Sequence, residues 1–399
     1  MHQWLRDGAV NASHPRFFGL FQPPAGPDAV TADALVALHD PSLALGAAAP
    51  LAVALEAHVL RALAARIGWT GSLHATFTTG GAEANLTALL LALGRHFPTV
   101  RDDGVASLAA RPRIYVTAET HASVLRAAQV AGLGRSACRE VRCDRAFRMD
   151  LRALRDALHE DRAAGWAPFF VAATAGTTSC GAVDPVRALS VFARAEDLWL
   201  HVDGAFGATA LLAPNVAPAL DGVAGADSLT WDAHKWLGSA QGAGMLFSPH
   251  EHLAAQVFGV DAPYLPGGAH PWSTTLQWSR RAAGAKVFAL LASTGWAGMA
   301  ARVERCVALG QRLRARLLDD GATVFGEGPL PVVAFATPAM RRGAADPARV
   351  AARLRREGVA FVTDTRVAGR FPALRACVAN PSTADADVDA LAEAVRANR

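Results

Sequence analysis

Four places in this chain combine residue types capable of chemistry with positions where chemistry is commonly done. Lys235 ends the run Ser228-Leu229-Thr230-Trp231-Asp232-Ala233-His234-Lys235. Lysine is the cation that becomes a nucleophilic amine once its proton is lost. A lone lysine at a strand end is more often a surface residue reaching for water. Asp203 ends the run LWLHVD. A carboxylate closing so apolar a segment costs desolvation energy unless it meets a cation or a strong donor; taken alone, a helix cap or a solvated turn explains it as well. His121 stands where another strand pattern stops and, by itself, reads as a cap or turn residue. Thr79-Gly80-Gly81-Ala82-Glu83-Ala84-Asn85 follows HATFT and opens the helical run LTALLLAL. Glycines that admit close approach, followed by a helix amino end, make an anion cradle. An ordinary strand-to-helix turn accounts for that motif equally well.

The conjunction is more informative than its parts. All four sit at the carboxyl ends of predicted strands, where open α/β sheets bind ligands. An amine for a Schiff base, a carboxylate for a pyridinium nitrogen, a cradle for a phosphate and a flat group for a ring are the requirements of pyridoxal 5'-phosphate.

The elements that would position these groups alternate along the chain. RIYVTAET (113–120), FFVAATAG (169–176), LWLHVDGA (198–205), SLTWDAHK (228–235) and GAGMLFS (242–248) read as buried strands. Between them LRALRDALHEDRAAG and VRALSVFARAED are helical, and LAVALEAHVLRALAARIGW (51–69) is amphipathic at helical spacing. Such alternation predicts a mostly parallel sheet with helices on both faces. Residues 1–50, rich in Pro and Gly, read as an extended arm with one helix near Thr31 to His39. A long helical stretch from Arg281 to Leu318 leads into LPVVAFATP, ADPARVAARLRREG, FVTDTRV, LRACVANP and a final helix. The expected organisation is an arm (1–50), a large domain (51–295) and a smaller α+β domain (296–399).

The composition sets outer bounds. With 399 residues, 52% of them hydrophobic and 19% charged, the chain can bury a large core and is not a disordered one. Its 39 basic against 35 acidic residues give a net charge of +4, with no basic block of the kind that grips nucleic acid. Five cysteines without a CxxC pair argue against a disulfide scaffold or a structural zinc site and suit a reducing cytoplasm. No stretch is long and apolar enough to suggest a membrane span.

Several stretches together resemble a known family. HPRFFG (14–19), TTGGAEANLTALLLA (78–92), THASVLRAA (120–128), TAGTTSCGAVDPV (174–186), LWLHVDGAFG (198–207), DSLTWDAHKW (227–236), DAPYL (261–265), QWSRR (277–281) and LRACVANPSTADADVDAL (374–391) carry the resemblance over nearly the whole chain. It is to the pyridoxal-phosphate-dependent group II amino-acid decarboxylases, in the branch with the glutamate, cysteine sulfinate and 2,4-diaminobutyrate enzymes. The resemblance implies an aspartate-aminotransferase-like, type I fold: a mostly parallel seven-stranded sheet in the large domain and a smaller C-terminal α+β domain. It implies decarboxylation of an L-amino acid to the amine and CO2, in a homodimer with a shared active site. Lys235 would carry the cofactor as a Schiff base, Asp203 would pair with the ring nitrogen, His121 would stack on one ring face and Ala205 would pack on the other. Gly80, Gly81, Ala82, Ser228 and His234 would hold the phosphate, while Thr177 and Asp184 would support the ring. Arg375 would grip the substrate α-carboxylate, and Tyr264 would return a proton to the carbanion carbon. The chain departs from the family pattern at Gly204, at QWSRR and in a shorter loop after Tyr264. That loop also admits other carbanion outcomes: aldehyde-forming oxidative deamination, aldolase-type cleavage or transamination.

Overall fold

The computed structural model describes residues 2–260 and 270–396. Seven strands form the main sheet: β1 (His74–Thr78), β2 (Pro112–Thr117), β3 (Cys138–Val141), β4 (Ala167–Thr174), β5 (Trp199–Asp203), β6 (Ser228–Asp232) and β7 (Gly244–Ser248). Their spatial order is β1-β7-β6-β5-β4-β2-β3. Strand β7 runs antiparallel to both neighbours, and the remaining pairings are parallel. The sheet is therefore mostly parallel, as the alternation predicted, and seven-stranded, as the resemblance implied.

Side chains leave successive strand residues toward opposite faces, and both faces are buried. Tyr115, Val171, Leu200 and Val202 enter one core, against helices Pro50–Ile67 and Val186–Ala195. Ile114, Val116, Phe170 and Trp199 enter the other, against helices Gly81–His96 and Ala122–Val130. Burial on both sides explains why these strands read as unbroken apolar runs. Strand β3 (CREV) escaped the sequence reading because it is short, edge-placed and half polar.

A second sheet, fully antiparallel, contains β8 (Thr323–Phe325), β9 (Val332–Ala336), β10 (Thr363–Val367) and β11 (Phe371–Cys377) in the order β10-β11-β9-β8. Helix Gly284–Asp319 joins the two bodies and is broken at Gly295, whose φ of 67° is open to glycine at little cost. Val287, Met299 and Val303 on this helix pack in the large core, and Leu309, Leu313 and Leu317 pack in the smaller one.

The N-terminal arm carries the helix expected near Thr31 to His39, begun four residues earlier. A helix covers Pro27–His39, and the segment before it is sewn to the small sheet. Phe18 is fully buried in the small core, its N–H donates to Phe361 O at 2.8 Å, and Cys377 N–H donates to Phe18 O at 2.8 Å. Thus residues 17–22 lie between the two bodies, beside the ends of β5 and β11.

Candidate active site

Strands β4, β5 and β6 end side by side, with Thr174 opposite Asp203 and Asp203 opposite Thr230. That register brings Asp203, the Lys235 turn and the His121 turn to one edge of the sheet. Lys235 lies in the tight turn Ala233–Leu237 and leaves helical backbone space (φ −94°, ψ −127°); Gly238, at φ 90°, ends the turn. Its Nζ is 3.1 Å from Asp232 Oδ2.

Asp203 is held by a hydrogen-bonded chain through the core. Its Oδ1 accepts from Ala205 N–H at 3.1 Å and its Oδ2 from Asn85 Nδ2 at 2.9 Å. The same amide donates to Ser123 Oγ at 2.8 Å. On its other side, Asn85 Oδ1 accepts from Thr230 Oγ1 at 2.7 Å and from His201 Nε2 at 3.0 Å. An amide oxygen can only accept, so His201 carries its proton on Nε2. His201 Nδ1 then accepts from Ser228 Oγ at 2.8 Å, which in turn accepts from Trp199 Nε1 at 2.8 Å. Burial pushes His201 down to about 4, so the ring is neutral and suited to this relay.

His121 is the cap of helix Ala122–Val130. Its Nδ1 accepts from Ser123 N–H at 3.3 Å and lies 2.7 Å from Ser123 Oγ. Asn85 therefore fixes Asp203 directly and His121 through Ser123. Burial lowers the proton affinity of His121, and the Asp203 carboxylate partly offsets this.

The glycine turn is closely packed. A Cβ on Gly81 would lie 3.0 Å from Asp232 Oδ2 and 3.2 Å from Ala205 Cβ. The first helical bonds run from Glu83 and Ala84 N–H to Gly80 O, so the Gly81 and Ala82 N–H groups point out of the helix end. His234 closes the cradle: a Cβ on Gly80 would meet its Cε1 at 3.4 Å, and its Nδ1 accepts from Ala243 N–H at 3.2 Å. Burial lowers His234 as well.

Three of the expected residues have their side chains engaged within the protein itself. Ser228 does not reach the cradle: it is fully buried at the far end of β6, and its hydroxyl is committed to His201 and Trp199. Asp184 is a staple of the loop after β4 rather than a cofactor ligand. Its two oxygens accept from Met149 N–H at 2.6 Å and Thr174 N–H at 2.7 Å, and burial pushes it up to about 6. Thr177 acts within the same loop, accepting from Ala182 N–H at 3.0 Å and touching Cys180 Sγ.

Arg375, on β11, is nearly buried. It donates to Thr178 O at 3.0 Å, to Gly19 O at 2.8 Å and to Thr363 Oγ1 at 2.8 Å, and its guanidinium lies 4.7 Å from the Phe21 ring centre. Its Nε is buried without a partner. Phe21 meets Phe206 edge-on at 5.0 Å, and Phe206 stacks on Trp236 at 5.0 Å, so an aromatic wall runs from Arg375 to the residue after Lys235. Tyr264 and the DAPYL stretch lie outside the described residues.

The sequence reading missed Asn85, His201 and Ser123, and it also missed Glu119. Glu119 accepts from Ser179 Oγ and from Ala368 N–H, tying the His121 turn and the loop after β4 to the β10–β11 hairpin. An amide and a carboxylate inside otherwise apolar surroundings were the only local signals.

A mostly parallel sheet with a lysine, a carboxylate, a histidine and a glycine cradle at its strand ends, beside a smaller antiparallel sheet, is the arrangement of the type I pyridoxal-phosphate fold. The chain belongs to the pyridoxal-dependent decarboxylase family, whose conserved-domain model matches residues 1–337. It is similar to human cysteine sulfinic acid decarboxylase, 33% identical over 258 residues, which are 64% of this chain and 52% of that protein. It is also similar to the aromatic-L-amino-acid decarboxylase of Bacillus atrophaeus, 32% identical over 256 residues, with the same coverages. The chain spans about half the length of these two curated relatives. The structure of mouse CSAD superposes with a TM-score of 0.91 at 27% identity, covering 98% of this chain and 84% of that one. That of Oryza sativa TDC with PLP and tryptamine gives 0.91 at 25% identity, covering 100% and 87%.

The residues fit this cofactor. A closely packed glycine turn, outward-pointing amides at a helix end, an ordered acceptor carboxylate and an accessible amine are the donor and acceptor set it requires.

Proposed function

We propose that this chain decarboxylates an L-amino acid to the corresponding amine and CO2 with pyridoxal 5'-phosphate as cofactor. The observation that carries the reading is the single relay through Asn85 that orients Asp203 and His121 beside the Lys235 turn. When bound, pyridoxal phosphate supplies an electron sink for the pair left on Cα as CO2 departs.

In this reading Lys235 Nζ holds the cofactor. The Gly81 and Ala82 amides and His234 receive its phosphate. Asp203 remains a fixed anion opposite the ring nitrogen, an electrostatic contribution of the kind that is commonly the largest in catalysis. His121 and Ala205 flank the ring. Arg375, with one unpartnered N–H and an aromatic backing, binds the substrate carboxylate. Tyr264 delivers the proton to Cα. The aromatic wall of Phe21, Phe206 and Trp236 keeps water from this side of the site.

The proposal includes a homodimer and a cytoplasmic setting. Leu38 on helix Pro27–His39 and Leu51 on helix Pro50–Ile67 are 75% and 85% exposed, apolar side chains that a second copy would cover. All five cysteines are free thiols, as expected where reductants are plentiful. Among the described residues, no helix is long and apolar enough to cross a membrane.

The test is product analysis with cysteine sulfinate, glutamate, 2,4-diaminobutyrate and the aromatic amino acids, on the wild type and Lys235→Ala. The wild type should release CO2 and one amine stoichiometrically. Lys235→Ala should lose the borohydride-reducible cofactor adduct and at least about a thousandfold in turnover. An undiminished adduct in the variant, or hydrogen peroxide and aldehyde as the wild-type products, would refute the reading.

A further inference from the structure

The helix that opens the cradle, Gly81–His96, is capped by Gly80, which has no side chain to take up the first amides. The Gly81 and Ala82 N–H groups therefore stay free for an anion. The same feature leaves the turn without a lock of its own. Glu83, third residue of the helix, supplies one from the helix side. Its Oε2 reaches back over the turn and accepts from Thr79 N–H at 2.9 Å and from Thr79 Oγ1 at 2.8 Å, while Thr78 Oγ1 donates to Gly80 O at 3.1 Å. A carboxylate in a first helical turn is favoured by the helix dipole. Here it also sets a negative charge beside a cradle meant for an anion, which opposes binding unless that charge is drawn off.

Gln277 meets that need from a distant part of the chain. It follows the short helical turn Pro271–Thr274 and is 194 residues from Glu83 in sequence. Its Nε2 lies 2.7 Å from Glu83 Oε1 and 2.6 Å from Oε2, so one amide group spans both carboxylate oxygens. Its own backbone is held in place. Thr275 Oγ1 donates to Gln277 O at 2.6 Å, and the next residue, Trp278, stacks on the buried Trp272 with ring centres 4.5 Å apart. Thr79 and Gln277 are both neutral donors, and bonds of this kind to a carboxylate are stronger than those between neutral groups.

We propose that Gln277 is a positioning residue for the cofactor's phosphate. Acting through Glu83, it fixes Thr79-Gly80-Gly81 in the shape that turns the Gly81 and Ala82 amides toward the anion, and it disperses the Glu83 charge. The proposal rests on the reading that these amides receive the phosphate of pyridoxal 5'-phosphate. Its effect belongs to the phosphate end of the cofactor alone, which separates it from a general contribution to folding.

The test compares two ligands. The full chain, freed of cofactor, is titrated at pH 8 with pyridoxal 5'-phosphate and, separately, with pyridoxal, which lacks the phosphate; absorbance reports both. Gln277→Leu keeps the bulk and removes the donor. It should weaken pyridoxal phosphate by about tenfold or more, the usual worth of a hydrogen bond to a charged group, and leave pyridoxal within about twofold. Gln277→Glu sets a second carboxylate against the first and should weaken pyridoxal phosphate by about a hundredfold. Combining it with Glu83→Gln restores one donor facing one carboxylate with the roles exchanged, and should bring affinity back to within about fivefold of wild type. The three proteins are independent, so a folding failure of one leaves the others informative. Equal losses for the two ligands, wild-type affinity in Gln277→Leu, or an exchanged pair no tighter than Gln277→Glu alone would overturn the assignment. A wild type that captures no pyridoxal phosphate would instead overturn the functional reading beneath it.

Discussion

Asn85→Asp is the sharpest perturbation the site allows, because it changes charge and donor capacity with almost no change in shape. Asn85 is 2% exposed and makes four side-chain bonds: two donated, to Asp203 and Ser123, and two accepted, from His201 and Thr230. The aspartate would keep the accepted pair and lose the donated pair. Its new carboxylate would stand where an amide now lies 2.9 Å from Asp203 Oδ2. Two unit charges about 4 Å apart repel by about 4 kcal/mol at an effective dielectric of about 20. At about 1.4 kcal/mol per pH unit, the two carboxyls would hold a shared proton for about three pH units beyond the ordinary carboxylate range. Around neutrality the pair would thus hold its shared proton about half the time, divided between two sites, and Asp203 would be a poorer partner for a pyridinium nitrogen. Cofactor affinity, read by absorbance titration, should fall by two to three powers of ten. Asn85→Ala separates the two losses. It removes the charge-assisted bond, about 1.5–3 kcal/mol, without adding an anion, so its affinity loss should be smaller and flat between pH 6 and 8. An Asn85→Asp variant within threefold of wild type at pH 8, or one that matches Asn85→Ala across the range, would refute the relay as the source of Asp203's function.

Two further outcomes follow from neighbouring groups. Glu119→Ala strips the acceptor from both Ser179 Oγ and Ala368 N–H; at about 1–3 kcal/mol per abandoned donor, unfolding in denaturant should show a loss of about 2–6 kcal/mol. KM should rise more than kcat falls, because the hairpin bearing Arg375 is released, and a loss below about 0.5 kcal/mol would show that Glu119 does not join the two bodies. His201 supplies an acid limb: burial takes it from 6.5 to about 4, so the stability gained from its neutral form is intact above about 6.5 and is lost as pH falls through 4. The shift is worth about 3 kcal/mol. His201→Gln should flatten that limb in melting curves between pH 4 and 7, and an unchanged limb would place the titrating group elsewhere.

The parts of this site that could be read in the sequence are those whose meaning is local. Lys235, Asp203, His121 and Gly80-Gly81 each interrupt an apolar run where a strand stops, so the change from core to edge is written within a few residues of each. The relay has no such local mark. Asn85 lies 116 residues from His201, 118 from Asp203 and 145 from Thr230, and only the parallel register of β5 and β6, with His201 opposite Ser228 and Asp203 opposite Thr230, gathers them around one amide. The same register explains why Ser228 was misplaced. The resemblance put it at the phosphate, but it is the first residue of β6 and Asp232 the last. The extended chain between them covers about 13 Å, which carries Ser228 to the buried end of the relay. Asp184 shows the complementary case. A carboxylate in a family loop suggested a ligand, but both its oxygens are taken by backbone amides that hold the loop after β4 in shape. A polar residue within an apolar segment signals that a partner exists; the strand register decides whether that partner is a substrate, a cofactor or the protein's own backbone.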